Sequence, residues 1–212
     1  MGAEMVDLLT GDKLRKASLQ DEIVSTIFDS VNDAVFHGGT AIWRCYDGKR
    51  FSKDIDIYVN KGKSIEKILA NLTLKGDKIK KDKQRKEKLF YSVIGHGTDV
   101  SLQFKKKRAT GIVVPYRNID GTLISVYSLA PEALILEKIE TYVDRLDERD
   151  IYDMMVLTNS ASKKTLVSDK LARFLNNIKE PKNKNSIKDL VYAGVSPSFD
   201  QMVEYLKDWC MR

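Results

Sequence analysis

The chain has 212 residues, 42% of them hydrophobic and 31% charged, with a formal net charge of +6. That balance suits a globular core with a helical extension, and no apolar run approaches the ~18 residues that a membrane span needs. The start lacks a basic segment followed by an apolar one, Val6 breaks the myristoylation pattern, and two cysteines, Cys45 and Cys210, are too few for a disulfide framework or a zinc cluster, so a reducing, cytoplasmic setting is expected.

Residues 7–29 place Leu14, Leu19, Ile23 and Ile27 at helical spacing and predict one or two helices. Residues 32–36 lead, as a short strand or a helix end, into Gly38. Residues 40–46 read as a helix that breaks near the turn dipeptide Asp47-Gly48. A strand is expected over 51–60 and a helix capped by Ser64 over 64–72. Two strands, 89–94 and 99–104, form a hairpin around Gly95-His96-Gly97. Weaker strands follow at 111–114 and 123–126. After Tyr127 the pattern becomes helical, with amphipathic segments at 128–144, 148–158 and 168–178. Pro131 is tolerated in the first turn of the first of these. Residues 179–188 are polar and read as a loop. A last helix spans 198–209, where the stripe Met202, Tyr205, Leu206 and Trp209 reads as core packing. The chain thus divides into an α/β core over 1–127 and a helical region over 128–212.

Charge is uneven. Segment 75–88 holds eight Lys or Arg against three acids, net +5, and residues 105–108 are all basic, which leaves the rest of the chain net acidic. Concentrated positive charge fits a polyanion, because each neutralised phosphate releases counterions. It equally fits a solvated hairpin or helix face, and no aromatic residue interleaves within 75–88 to stack a base.

The densest chemical signal lies in FHGGTAIWRCYDGKRFSKDIDIY, from Phe36 to Tyr58. Alternation along a strand puts Asp54 and Asp56 on one face, with Ile55 and Ile57 on the other. Two adjacent carboxylates repel unless a cation lies between them, and such hard oxygens suit Mg²⁺ or Mn²⁺. Gly38 and Gly39 allow close approach of a ligand to the backbone, and Thr40 adds a hydroxyl donor. A phosphate turn therefore precedes an acidic pair by 13 residues, which points to a nucleoside triphosphate. Read alone, Asp-x-Asp is also an ordinary solvated strand.

Gly-Gly-Thr-Ala, then Arg-Phe-Ser-x-Asp-Ile-Asp, resembles the signature of the AbiEii/AbiGii-toxin-type branch of the DNA polymerase β-like nucleotidyltransferase superfamily. A later helical signature, Lys138 followed by Arg149-Asp150-x-x-Asp153, is similar to that branch too. The resemblance covers about residues 34 to 158. It implies an α+β fold, a nucleotidyltransferase-like mixed β-sheet with flanking helices followed by a C-terminal helical bundle, with the catalytic cleft between the halves. It also implies Mg²⁺- or Mn²⁺-dependent transfer of a nucleotide from a triphosphate to an acceptor hydroxyl. The acceptor would be an RNA 3′ end such as tRNA, met through segments 75–88 and 105–108, or a protein side chain. A toxin-like role with a cognate antitoxin follows from the same likeness. The alternative is an inactive RNA-binding protein that kept the fold, against which the intact acidic pair argues.

Such chemistry wants a third carboxylate on a neighbouring strand, and Asp99, which starts the alternation Asp99, Ser101, Gln103, is the candidate. Ser52 shares the parity of the acidic pair and could touch phosphate or be self-modified. Arg50 could offer phosphate a forked donor. The resemblance places Lys138 against the triphosphate and gives Asp150 the part of orienting Lys138 or the nucleotide. Arg149 and Asp153 read as a surface pairing. His37 and His96, the only histidines, lack a Cys or His at metal-ligand spacing, and nothing resembles a Gly-x-Ser-x-Gly elbow.

Overall fold

The computed structural model describes residues 5–85, 87–184 and 186–212. Lys86 of the basic segment 75–88 and Asn185 of the polar stretch 179–188 lie outside the described residues, as does the extreme N-terminus. The chain forms two compact units, one of residues 1–45 and 51–129, the other of 46–50 and 130–212.

The first unit opens with helices α1 (Met5–Leu8) and α2 (Gly11–Ser30). Leu19, Ile23 and Ile27 on the predicted apolar stripe of α2 are fully buried. Strand β1 (Ala34–His37) runs straight into helix α3 (Gly38–Cys45), then β2 (Asp54–Val59) and α4 (Gly62–Leu74) follow. Ser64 does not cap α4; the helix begins earlier, with Lys61 at the cap position. Strands β3 (Lys78–Arg85), β4 (Lys88–Gly95), β5 (Thr98–Lys106), β6 (Ile112–Arg117) and β7 (Leu123–Ser128) complete the unit.

These strands make one mixed seven-stranded sheet in the order β3-β4-β5-β2-β1-β7-β6. The β2–β5 and β1–β7 pairs are parallel and the others antiparallel. One face is apolar: Ile55 and Ile57 of β2 line up with Leu102 and Phe104 of β5, and all four are fully buried. Each such side chain contributes ~1.5–3 kcal/mol by leaving water. The β4–β5 hairpin turns through His96 and Gly97, both at positive φ, as a two-residue primed turn requires.

Segment 75–88, which its sequence leaves open between a hairpin and a helix face, contains strand β3 of a hairpin. Of its eight residues only Ile79 is even partly buried, so no apolar alternation marks it. Its pairing with β4 fixes it, because β4 buries Tyr91 and Val93.

The second unit holds α5 (Pro131–Arg145), α6 (Glu148–Thr158), a short 3₁₀ turn (Lys164–Leu166), α7 (Ser168–Asn176) and α8 (Phe199–Met211). Pro131 stands in the first turn of α5, and Leu146 ends that helix in the left-handed conformation. Asp147 caps α6 by accepting from the Arg149 N–H, and Ser198 with Gln201 forms a capping box on α8. In α8, Met202 and Leu206 are buried, while Tyr205 lies toward the surface with its hydroxyl near Thr158 and Asn159. Residues 46–50 join this unit: the Tyr192 N–H donates to the Lys49 carbonyl, and Arg50 bridges to Val191. No helix among the described residues is long and apolar enough to cross a membrane.

Candidate active site

The acidic pair sits as its spacing demands. Asp54 and Asp56 are half-buried on one face of β2, while Ile55 and Ile57 are sealed on the other. The junction from β1 to α3 brings Gly38 against this pair at φ +77°, a conformation that favours glycine. A Cβ on Gly38 would lie 2.2 Å from Asp56 Oδ2, so only glycine leaves room for that carboxylate. Gly39 lies in the first turn of α3.

Thr40 does not offer its hydroxyl to a ligand. The residue is fully buried, and Oγ1 donates to the Asp54 carbonyl at 2.5 Å. This bond fastens the first turn of α3 to the start of β2. The Ser52 carbonyl accepts from Gln20 Nε2 at 2.9 Å, which steadies the approach to β2, and the Ser52 side chain remains half-exposed ahead of the strand.

The third carboxylate is not brought in. Parallel register sets Ser101 beside Asp54 and Gln103 beside Asp56, so Asp99 falls two residues short of the pair. With ~3.3 Å per residue and ~4.8 Å between strands, its Cα lies roughly 8 Å from that of Asp54 and roughly 14 Å from that of Asp56. Asp99 is exposed and bound to Lys16, whose ammonium lies 3.2 Å from the carboxylate and donates to the Asp99 carbonyl at 2.7 Å. Among the described residues no three acidic, His or Cys side chains gather as a metal cage. The residues present therefore fit one divalent cation on Asp54 and Asp56, and Asp99 does not extend that donor set. On the other flank His37 pairs with Asp56 and stacks on Tyr58, ring centroids 3.7 Å apart. His96 sits in the β4–β5 turn, with Nε2 2.8 Å from Glu22.

The face that bears the acids continues across the sheet in rows set by register. One row runs Asp54, Ser101, Ser92, Lys80; the next runs Asp56, Gln103, Phe90, Lys83. Three strand spacings, ~14 Å, separate the acids from these lysines. A bulge between Lys81 and Lys83 lets Lys83 reach over the Phe90 ring, 4.7 Å from its centre, while Ser92 donates to Asp82. Lys105 and Lys107 lie over Tyr58. The Phe90 ring thus meets Lys83 of segment 75–88 across the hairpin.

In the second unit the later signature forms a buried cluster of charges. Lys138 of α5 reaches Asp150 at 3.0 Å and Asp153 at 2.6 Å, both on α6. Arg50 is buried and forks onto Asp153 at 2.6 and 2.5 Å, so it holds this carboxylate and offers no free fork to phosphate. Asp153 is thus central to the cluster and no surface pairing. Burial pushes its carboxyl up, but Arg50 and Lys138 outweigh burial and hold it below the usual carboxylate range. Asp150 also accepts two bonds from Arg145, at 2.8 and 2.7 Å. Sequence reasoning passed over Arg145 entirely; its place two turns along the face of Lys138 is obscured because positions 138 and 145 read as an ordinary charged heptad. Arg149 pairs with Asp147 instead.

A glycine at positive φ between strand and helix, followed by two carboxylates on the next strand of a mixed sheet, defines a nucleotidyltransferase-type fold. Solved structures share it, among them the three that follow. MenT4, a nucleotidyltransferase toxin from Mycobacterium tuberculosis H37Rv, superposes with a TM-score of 0.69 at 14% identity, covering 94% of this chain and 84% of that one. A putative nucleotidyltransferase from H. pylori gives 0.68 at 17% identity, covering 96% and 95%. JHP933 from Helicobacter pylori gives 0.66 at 16% identity, covering 96% and 92%. Comparison with curated proteins finds no match. Residues 27–208 match the family described as nucleotidyl transferase AbiEii toxin, type IV TA system, and the chain belongs to that family of nucleotidyltransferases.

Proposed function

We propose that this chain moves a nucleoside monophosphate from a nucleoside triphosphate to a hydroxyl of an RNA acceptor, in the manner of a toxin. The observation that carries the proposal is the sheet face that holds Asp54 and Asp56 at one end of its rows and Lys80 and Lys83 at the other. An acidic pair invites a cation, and lysines and aromatic side chains on one surface invite a polyanion.

In the transfer the acceptor oxygen bonds to the α-phosphorus, the bond from that phosphorus to the bridging oxygen breaks, and pyrophosphate leaves. The hydroxyl proton passes to solvent. A divalent cation on Asp54 and Asp56, Mg²⁺ or Mn²⁺, would supply neutralisation of phosphate charge. Gly38 keeps the Asp56 carboxylate in place by leaving its space empty. Thr40 acts through the main chain of β2, and the hydroxyl of Ser52, half-exposed just ahead of the strand, is assigned to phosphate. Lys138, held by Asp150 and Asp153, is assigned to the charge of the triphosphate; Arg50 and Arg145 serve by fixing the two acids. The family context supports a cognate antitoxin as partner, and free Cys45 and Cys210 suit action in the cytoplasm.

The test is transfer of label from each of the four α-labelled triphosphates, offered total RNA and total protein. Label in RNA that is weakened several-fold by Lys80→Glu with Lys83→Glu supports the proposal. Label confined to protein would overturn the RNA acceptor, and no label in either would overturn the transfer reading.

A further inference from the structure

A nucleotide offers a protein two handles, a charged phosphate and a flat base, and different side chains meet them. On the sheet face that bears Asp54 and Asp56 the two kinds are sorted by strand. Lys80 and Lys83 are exposed at the far end of the rows, and the β5 and β4 side chains between them and the acids are uncharged and half-exposed. RNA laid from these lysines to the acidic pair crosses ~14 Å of open sheet, and the half-exposed ring on its way is that of Phe90. Other rings on these strands are closed off. Tyr91 and Phe104 are buried on the apolar face, and Tyr58 is buried with its ring stacked on His37. The Lys83 ammonium lies 4.7 Å from the centre of the Phe90 ring, while the neighbouring acid, Asp82, accepts from the Ser92 hydroxyl at 2.7 Å. Phe90 with Lys83 thus provides a stacking surface and a phosphate partner at one point. In a duplex every base is already paired and stacked, so the base that lies on such a ring is an unpaired one.

We infer that Phe90 determines which RNA ends this chain accepts: it stacks an unpaired base near the acceptor hydroxyl, Lys83 meets the phosphate of that nucleotide, and single-stranded 3′ ends are extended in preference to blunt duplex ends. This rests on the reading of the acidic pair as a transfer site with an RNA acceptor. Phe90 stands two strands, ~10 Å, from Asp56, so the stacked base lies within about three nucleotides of the reacting hydroxyl at ~3.4 Å per stacked nucleotide. The ring carries no base-specific donor or acceptor, so the preference is for an unpaired end and not for a sequence.

The test is transfer of α-labelled nucleotide to RNA hairpins that share one stem and end either blunt or in about four unpaired 3′ nucleotides, enough to span the ~14 Å. The wild-type chain should label the overhang about tenfold or more above the blunt end. Phe90→Ala should raise the KM for the overhang about tenfold with kcat nearly unchanged, and leave the blunt hairpin as it was, whereas Phe90→Trp should keep the wild-type values. Phe90→Leu, which keeps apolar bulk without a ring, replaces Phe90→Ala if circular dichroism shows that variant unfolded. Lys83→Met separates charge from ring, because it should weaken both hairpins alike and flatten the dependence of KM on salt. Equal labelling of blunt and overhanging ends, or an unchanged KM in the folded Phe90 variant, overturns this inference and leaves the transfer reading standing. Label in neither hairpin and none in total RNA overturns the reading of an RNA acceptor, and this inference with it.

Discussion

Gly38→Ala isolates the feature that ties the strand–helix junction to the acidic pair. Two effects are expected. The backbone at Gly38 is at φ +77°, and holding alanine there costs ~1–3 kcal/mol. The new Cβ would also sit 2.2 Å from Asp56 Oδ2, whereas ordinary contact needs ~3.5 Å, so the carboxylate must shift by about 1 Å. A displacement of that size at a reacting centre costs ~10²-fold in rate. Gly97 provides the control: its φ is +69° and a Cβ there meets nothing within 4 Å, so Gly97→Ala carries the strain without the collision. Urea unfolding should show similar losses of stability for both variants. Transfer from an α-labelled triphosphate should fall about 100-fold in Gly38→Ala alone. If Gly38→Ala transfers as fast as Gly97→Ala, the reasoning about the Gly38–Asp56 contact is wrong.

Asp153→Asn leaves Arg50 and Lys138 buried with one carboxylate fewer, and urea unfolding at pH 7 should show a loss of ~3–5 kcal/mol. The acid dependence follows from the lowered carboxyl of Asp153. Its folded value lies below the unfolded one, so its contribution is complete above about pH 4 and is lost as pH falls from there through the folded value. The wild-type chain should therefore lose stability more steeply than Asp153→Asn in that window; parallel slopes in urea midpoints against pH would contradict it. Thr40→Val removes the hydroxyl that satisfies the Asp54 carbonyl and should cost about 1–3 kcal/mol in unfolding, with the KM for the triphosphate unchanged. A raised KM with intact stability would instead return Thr40 to the phosphate.

The alternation in Asp-Ile-Asp-Ile made β2 and the shared face of its acids legible, since burial of Ile55 and Ile57 leaves the strand one orientation. Pro131 and the apolar spacing after it marked α5 in the same way. Other features depend on pairing partners that a linear pattern does not contain. Strand β3 is made by hydrogen bonding to β4 and carries lysines where a readable strand carries apolar residues. Asp99 shares the parity of Ser101 and Gln103, and only the β2–β5 register shows that it stands too early to meet the acids. Arg50 stands 103 residues from Asp153, so its donors were open to phosphate on paper and are closed to it in the fold. Position in the chain likewise hides that 46–50 belongs with the helical unit, which is fixed by hydrogen bonds to Tyr192.

Asp56→Asn removes one charge and almost no volume from the sheet face, and leaves the apolar face of β2 untouched. Transfer of α-labelled nucleotide by this variant, beside the wild-type chain in Mg²⁺ or Mn²⁺, is the most direct measurement of the chemistry assigned to the acidic pair. The account predicts label transferred by the wild type and none above background by the variant, with matching circular dichroism. Full transfer by a folded Asp56→Asn chain would contradict it.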